Sequence, residues 1–256
     1  MSADAIETVR ETAVMNVLLL GGTGRTGGRV LQQLLGRGVR VRAVVRSAER
    51  LPAGVVDDPQ LTVVVADLLS MSDEQVGEQV DGCDVVISCL GHNTTSVRGI
   101  LGPPRDLVTR SLERVYRATR ELRPARPVRF ILMSSVSVNR PGGLDTRRGR
   151  FERAVVWTLR GLVPPARDNQ RAADFLHDVV EAADPYAQWT VVRPDTLKEG
   201  DVTEYALHEG LVDSLFRPGA TNMANVAHFM CELATDPEVW AAWQGKLPVI
   251  VNSSPA

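Results

Sequence analysis

The sequence predicts an α/β protein built on a doubly wound parallel sheet, and three observations carry that prediction. Short segments rich in Val, Ile and Leu recur along the chain and are apolar on successive rather than alternate positions. Strands covered on both faces read this way, whereas half-exposed antiparallel strands alternate. Between them lie stretches with apolar residues at helical spacing, so strand and helix alternate through most of the chain. A glycine-rich turn, GGTGRTGG at 21–28, joins the first strand directly to the first helix.

Taken in order, strands are predicted at 16–20, 39–45, 61–65, 84–89, 128–134, 188–193 and 247–251. The first helix sets Val30, Leu31, Leu34 and Leu35 on one face, and Gly36 and Gly38 end it. A long helix near 105–122 aligns Val108, Leu112, Val115, Thr119 and Leu122; another, at about 168–181, carries Ala172, Phe175, Leu176 and Val179. Two segments break the rhythm. GHNTTSVRGILGPP at 91–104 is too long for a simple β–α turn, and 139–167 holds PGG, an arginine-rich helical piece and VPP. Long irregular segments of compact domains are often functional. Both follow strand carboxyl ends, where open α/β sheets bind ligands, so both are candidate pocket walls.

Composition excludes several classes. A net charge of −2 and a pI near 6.1 argue against a nucleic-acid surface. No apolar run approaches the roughly 20 residues that span a bilayer. Cys83, Cys89 and Cys231 are scattered without CxxC spacing, and His92, His177, His208 and His228 show no metal-ligand spacing, so neither a disulfide framework nor a metal site is expected. A reduced cytoplasmic protein, monomer or homodimer, is the expectation.

Within the glycine turn, Gly21, Gly24 and Gly27 form G-x-x-G-x-x-G, with Arg25 and Thr26 between the last two. Positions without Cβ let backbone N–H groups approach a pyrophosphate at a helix N-terminus. A strand runs into the turn and a helix out of it, which turns a weak motif into a Rossmann-type dinucleotide cradle. The second strand ends about 20 residues further on. An acid there holds the ribose 2′-hydroxyl of NAD, whereas a basic residue accepts a 2′-phosphate. This chain has Arg46, followed by Ser47 and Arg50, with Arg25 as a second cation, so NADP(H) is the expected cofactor. The plain alternative leaves Arg46 as a solvated strand-end residue. Asp67 and Leu68 end the third strand, and Cys89, Leu90 and Gly91 end the fourth; both groups read as cofactor contacts beside the turn, with core packing or turn chemistry as the equal alternative. The chain then divides into an N-terminal extension over 1–15, a dinucleotide-binding domain over 16–195, and a substrate-side segment with a closing helix and strand over 196–256, part of the same domain. Met15 marks the expected start of the working fold.

GGTGRTGG, VVRSAERL, VVADLL, VISCLG, FILMSSVS and WTVVRPDTL, in that order over roughly 16–197, resemble the atypical short-chain dehydrogenase/reductases, nearest to the NmrA-like and biliverdin reductase B (flavin reductase)-like proteins. The resemblance implies a catalytic serine followed by Tyr-x-x-x-Lys, the tyrosine donating a proton and the lysine lowering its pKa. Ser135 falls on the serine position, with Ser134 beside it on the cofactor side. Ala166 falls on the tyrosine position and Gln170 on the lysine position, and no tyrosine lies between Tyr116 and Tyr186. Ketone reduction builds negative charge on oxygen, which must be protonated or held. Either the acceptor is delocalised (a flavin, quinone, imine or conjugated enone), or another group supplies the proton. His92 and Asp195, both at strand carboxyl ends, are the candidates, with polar-loop and turn-forming roles as the plain alternatives. The resemblance also places Ser135 and Asp195–Thr196 beside the substrate, and makes TNMANVAHFMCELATDP at 221–237 a scaffold helix.

Residues 140–171 hold eight arginines (Arg140, Arg147, Arg148, Arg150, Arg153, Arg160, Arg167, Arg171) against Asp145, Glu152 and Asp168. Phe151, Val155, Val156, Trp157 and Leu159 interleave with them. Such a lid suits a flat, anionic small molecule; a solvated helix packed on the sheet is the alternative. Tyr205, Leu207, Leu211, Leu215 and Phe216 are candidate pocket lining. The expected activity is NADP(H)-dependent reduction of a small conjugated organic molecule. The alternatives are an NmrA-like NADP sensor without turnover and a cofactor-dependent isomerase or epimerase.

Overall fold

In the computed structural model, residues 14–91, 102, 104–140, 145, 163–180, 183–212 and 219–253 are described. The chain runs β1 (Asn16–Leu20), α1 (Arg25–Gly36), β2 (Arg40–Val45), a short 3₁₀ turn (Ala48–Arg50), β3 (Leu61–Val65), α2 (Asp73–Val80) and β4 (Val85–Ser88). It continues through α3 (Leu107–Leu122), β5 (Val128–Met133), α4 (Pro164–Val179), β6 (Ala187–Pro194), β7 (Thr196–Lys198) and β8 (Tyr205–His208). It ends with β9 (Ala220–Asn222), α5 (Met223–Thr235), α6 (Pro237–Trp243) and β10 (Val249–Asn252). Eight strands form one sheet in the order β3-β2-β1-β4-β5-β6-β10-β8; β7 and β9 make a separate parallel pair. All pairings in the large sheet are parallel except β8 against β10. This is the doubly wound Rossmann-like sheet expected.

The successive-apolar pattern has a direct cause. In β1, Val17 and Leu19 face one layer with α1 and α5, while Leu18 and Leu20 face the other with α2, α3 and α4. A strand buried on both faces has no position for a polar side chain. Helix α1 starts earlier than the apolar spacing indicates, at Arg25 inside the glycine turn, so its first turn is itself part of the motif.

Several elements had no counterpart in the sequence reading, among them α2, β7, β8 and β9. Helix α2 buries only Val76 and Val80, too few to show a period, and is set instead by a capping box between Ser72 and Gln75. Strand β8 is four half-buried residues paired antiparallel at the sheet edge. Tyr205 and Leu207 on it pack against the core layer of α1 and α5, and the Tyr205 hydroxyl lies 2.9 Å from His228 Nδ1.

Among the described residues no helix is long and apolar enough to cross a membrane. The three cysteines are free and buried. Burial pushes the thiol of Cys83 up to about 11 and that of Cys231 up to about 12, and raises Cys89 further. All three are therefore protonated at neutral pH and poor nucleophiles.

Candidate functional site

The strand order reverses direction between β1 and β4, so a crevice opens at their carboxyl ends. The glycine turn fills the floor of that crevice. Gly21 has φ +83, and a Cβ on it would lie 2.6 Å from the Cys89 carbonyl, where β4 ends. A Cβ on Gly27 would stand 2.1 Å from the Gly21 carbonyl oxygen. These two glycines let the turn close on itself and on the β4 end. Gly24, the N-cap of α1, leaves the helix without a side-chain cap, and no acidic residue stands in its first turn. The first backbone N–H groups of any helix lack intrahelical partners. Here they sit at the positive end of the helix dipole with nothing built in to satisfy them, which fits an anionic diphosphate.

Basic side chains surround this end. A groove of about 320 Å³ runs beside α1, lined among others by Gly24, Arg25, Arg29, Arg50 and Pro52. Arg46 is exposed at the end of β2 and makes no ion pair among the described residues. Arg25 does: its Nε and Nη2 donate to Glu199 Oε1 at 3.1 and 2.7 Å, and Arg29 pairs with Glu199 Oε2. Sequence reasoning singled out neither Arg29, which lines the groove, nor Glu199, which pairs with both arginines. Thr26 is buried in the turn rather than facing the groove.

The other cofactor-side candidates flank the crevice. The exposed Asp67 accepts from the Leu69 N–H at 3.1 Å, closing the turn after β3. Leu68 is buried, and its carbonyl accepts from Arg114 Nη1 at 2.7 Å. Cys89 is buried beneath the turn, Leu90 is half-buried, and the exposed Gly91 has open space around a would-be Cβ. Ser134, just past the end of β5, is buried with an Oγ that has no hydrogen-bond partner among the described residues. A buried unpaired hydroxyl next to a ligand crevice is a polar group awaiting a partner.

Ser135 follows β5 and Asp195 follows β6, neighbours in the sheet, and the ladder runs on past the end of β5: the Ser134 N–H donates to the Val192 carbonyl at 2.8 Å and the Val136 N–H to the Pro194 carbonyl at 3.1 Å. The Ser135 hydroxyl lies 2.6 Å from that of Ser137. One Asp195 carboxylate oxygen accepts from the Thr196 N–H at 2.7 Å, the turn-forming role weighed as its alternative. His92, the arginines between 147 and 160 with their interleaved apolar residues, and Leu215 and Phe216 lie outside the described residues.

The helix expected to carry Tyr and Lys does something else here. Gln170 holds a backbone peptide: its Oε1 accepts from Asn139 N–H at 2.9 Å while its Nε2 donates to Asn139 O at 3.3 Å and to Asp174 at 2.7 Å. A lysine has no acceptor and could not make this reciprocal pair. Two carboxylates counted against the arginine-rich stretch are structural. Asp168, 1% exposed, accepts from the Val108 and Thr109 N–H groups at 2.8 and 3.1 Å, capping α3 from α4. Asp145 pairs at 2.8 Å with Arg193, which is 0% exposed and also donates to the carbonyls of Val138 and Leu247.

Known proteins agree with this geometry. A family model described as NAD(P)H-binding matches residues 21–237. The chloroplastic protein TIC 62 of Arabidopsis thaliana is 27% identical over 243 residues, 87% of this chain and 34% of that protein. The chain thus spans about a third of the length of such curated relatives. Among solved structures, a short-chain dehydrogenase/reductase of Veillonella parvula in complex with NADP superposes with a TM-score of 0.67 at 13% identity, covering 94% of this chain and 95% of that one. A candidate NADH-flavin reductase of Streptococcus pneumoniae gives 0.62 at 18% identity, covering 93% and 100%. At such identities the structural likeness speaks for the fold, and the family model, spanning most of the sequence, decides the rest: the chain belongs to the NAD(P)H-binding family.

Proposed function

We propose that this protein is an NADP(H)-dependent reductase of a small conjugated organic acceptor. The observation that carries the reading is the pairing of an uncapped helix N-terminus with an exposed Arg46 at the end of β2 that makes no ion pair among the described residues. A diphosphate takes the first, and a ribose 2′-phosphate takes the second. Gly21, Gly24 and Gly27 admit the backbone to the diphosphate, Arg46 and Arg50 hold the 2′-phosphate, and Asp67, Leu68, Leu90 and Gly91 line the crevice. Ser134 supplies a hydrogen bond from its buried hydroxyl.

When bound, the nicotinamide supplies a hydride. The chain's own part is to hold the acceptor. Ser135 donates to the acceptor's oxygen or ring nitrogen while its own oxygen accepts from the Ser137 hydroxyl 2.6 Å away. No Tyr–Lys pair is present to move a proton, since Ala166 has no titratable group and Gln170 is engaged with Asn139. An acceptor whose reduced form delocalises charge and is protonated from water fits this site; a simple ketone does not. The arginine-rich 140–171 segment favours a flat, anionic acceptor.

Purified protein mixed with NADPH and a panel of flavins, quinones, enones and imines should consume the reduced nicotinamide band with at least one of them. Ordinary ketones should be left untouched. Tight NADP binding without turnover on any acceptor would sink the reductase reading and favour a cofactor sensor.

A further inference from the structure

Glu199 is an acidic residue at a site for anions. It follows β7, yet its carboxylate reaches back across the fold to take both Arg25 and Arg29 on the first turns of α1. Arg25 hydrogen bonding, then the nearby Arg29 charge, holds its carboxyl below the usual carboxylate range, so it is ionised at neutral pH.

The position is built, not incidental. Asn225, fully buried at the start of α5, accepts from the Thr203 N–H at 2.7 Å and donates to Thr203 Oγ1 at 3.0 Å and to Asn252 at 2.8 Å. Asn222 donates to the Asp201 carbonyl at 3.0 Å and accepts from Asn252 at 2.9 Å. Three asparagines therefore tie down the segment that carries Glu199, so little further ordering is needed for it to reach the arginines. Arg25 lines the same groove as Arg50, beside the end of β2.

We propose that Glu199 is a specificity-determining residue: it acts as a tethered anion that occupies Arg25 and Arg29, so a 2′-phosphate must displace it to gain Arg25. This rests on the reading of Arg46 and Arg50 as the 2′-phosphate site. The apparent affinity for a ligand that needs a released Arg25 is reduced by the fraction of molecules in which the latch is closed. Exposed ion pairs are weak, so the reduction is about two- to fivefold, and salt shrinks it.

Calorimetric titration of the full chain with 2′,5′-ADP and 5′-AMP, which differ only by the 2′-phosphate, tests this without any turnover. Glu199→Gln should tighten 2′,5′-ADP by about two- to fivefold with a much smaller change for 5′-AMP. The gain should vanish in the Glu199→Gln/Arg25→Gln double variant and fade at high salt. An equal gain for both nucleotides, no gain, or weaker 2′,5′-ADP binding would overturn the inference. If the wild-type chain itself fails to distinguish the two nucleotides, the 2′-phosphate reading falls as well. If it distinguishes them and Glu199→Gln changes nothing, only the role of Glu199 falls.

Discussion

Gly27→Ala is expected to weaken NADPH binding by about tenfold or more while leaving the sheet intact. The added methyl would stand 2.1 Å from the Gly21 carbonyl oxygen and 3.1 Å from Cys89 Cβ. The first contact is backbone against backbone, so no rotamer change relieves it. The first turn of α1 must move away from the end of β1, and its N–H groups lose their aim. A hydrogen bond to a charged group is worth about 1.5–3 kcal/mol, and about 1.4 kcal/mol is a factor of ten, so misplacing one donor suffices. Overpacking of this kind also destabilises by about 1–3 kcal/mol. The control is Gly77→Ala in α2, where the same methyl meets nothing within 4 Å. That change should leave binding untouched and add about 0.5–1 kcal/mol of stability. Calorimetry with NADPH and urea unfolding report the two quantities separately. Wild-type affinity in Gly27→Ala would mean that the turn does not cradle the cofactor.

Arg193→Met should be the most destabilising single change, by about 3–5 kcal/mol, because it strands a buried carboxylate. Arg193 lies at the end of β6, 0% exposed, and its guanidinium donates to Val138, Asp145, Leu247 and Glu209. Among the described residues, Asp145 keeps the Arg140 N–H, at 2.7 Å, once the arginine is gone. Arg193→Lys should also fail in large part, since one ammonium cannot reproduce a fork that spans several acceptors. Adding Asp145→Asn to Arg193→Met removes the stranded charge and should recover part of the loss. Urea midpoints of the single and double variants decide this; identical losses would show that the ion pair is not what Arg193 contributes. Because Val138 and Asp145 follow β5, the same clamp shapes the wall beside Ser135.

What could be read in advance was what repeats locally. The seven parallel strands were legible because burial on two faces favours apolar residues on successive positions, as in VLLL of β1. The glycine turn was legible because strand, glycines and helix are contiguous. Pairs remote in sequence left no such trace. Glu199 meets Arg25 across 174 positions, Arg193 meets Asp145 across 48, and Asp168 caps α3 across 59 or 60. Each is an ordinary charged residue until the sheet brings its partner close. Asp145 and Asp168 even looked like part of a solvated charge balance, although both are buried. The resemblance could set Ala166 and Gln170 at the expected Tyr and Lys positions, but the job Gln170 has in the fold was not legible. That job depends on a backbone peptide 31 residues away.

The central claim is that Arg46 reads a 2′-phosphate, which makes the cofactor NADP(H). Dissociation constants for NADPH and NADH, measured on the wild-type chain and on Arg46→Asp, test it most directly. The wild-type protein should bind NADPH the more tightly, and Arg46→Asp should weaken NADPH by about ten- to a hundredfold with little loss for NADH. Equal losses for the two cofactors, or none for either, would contradict it.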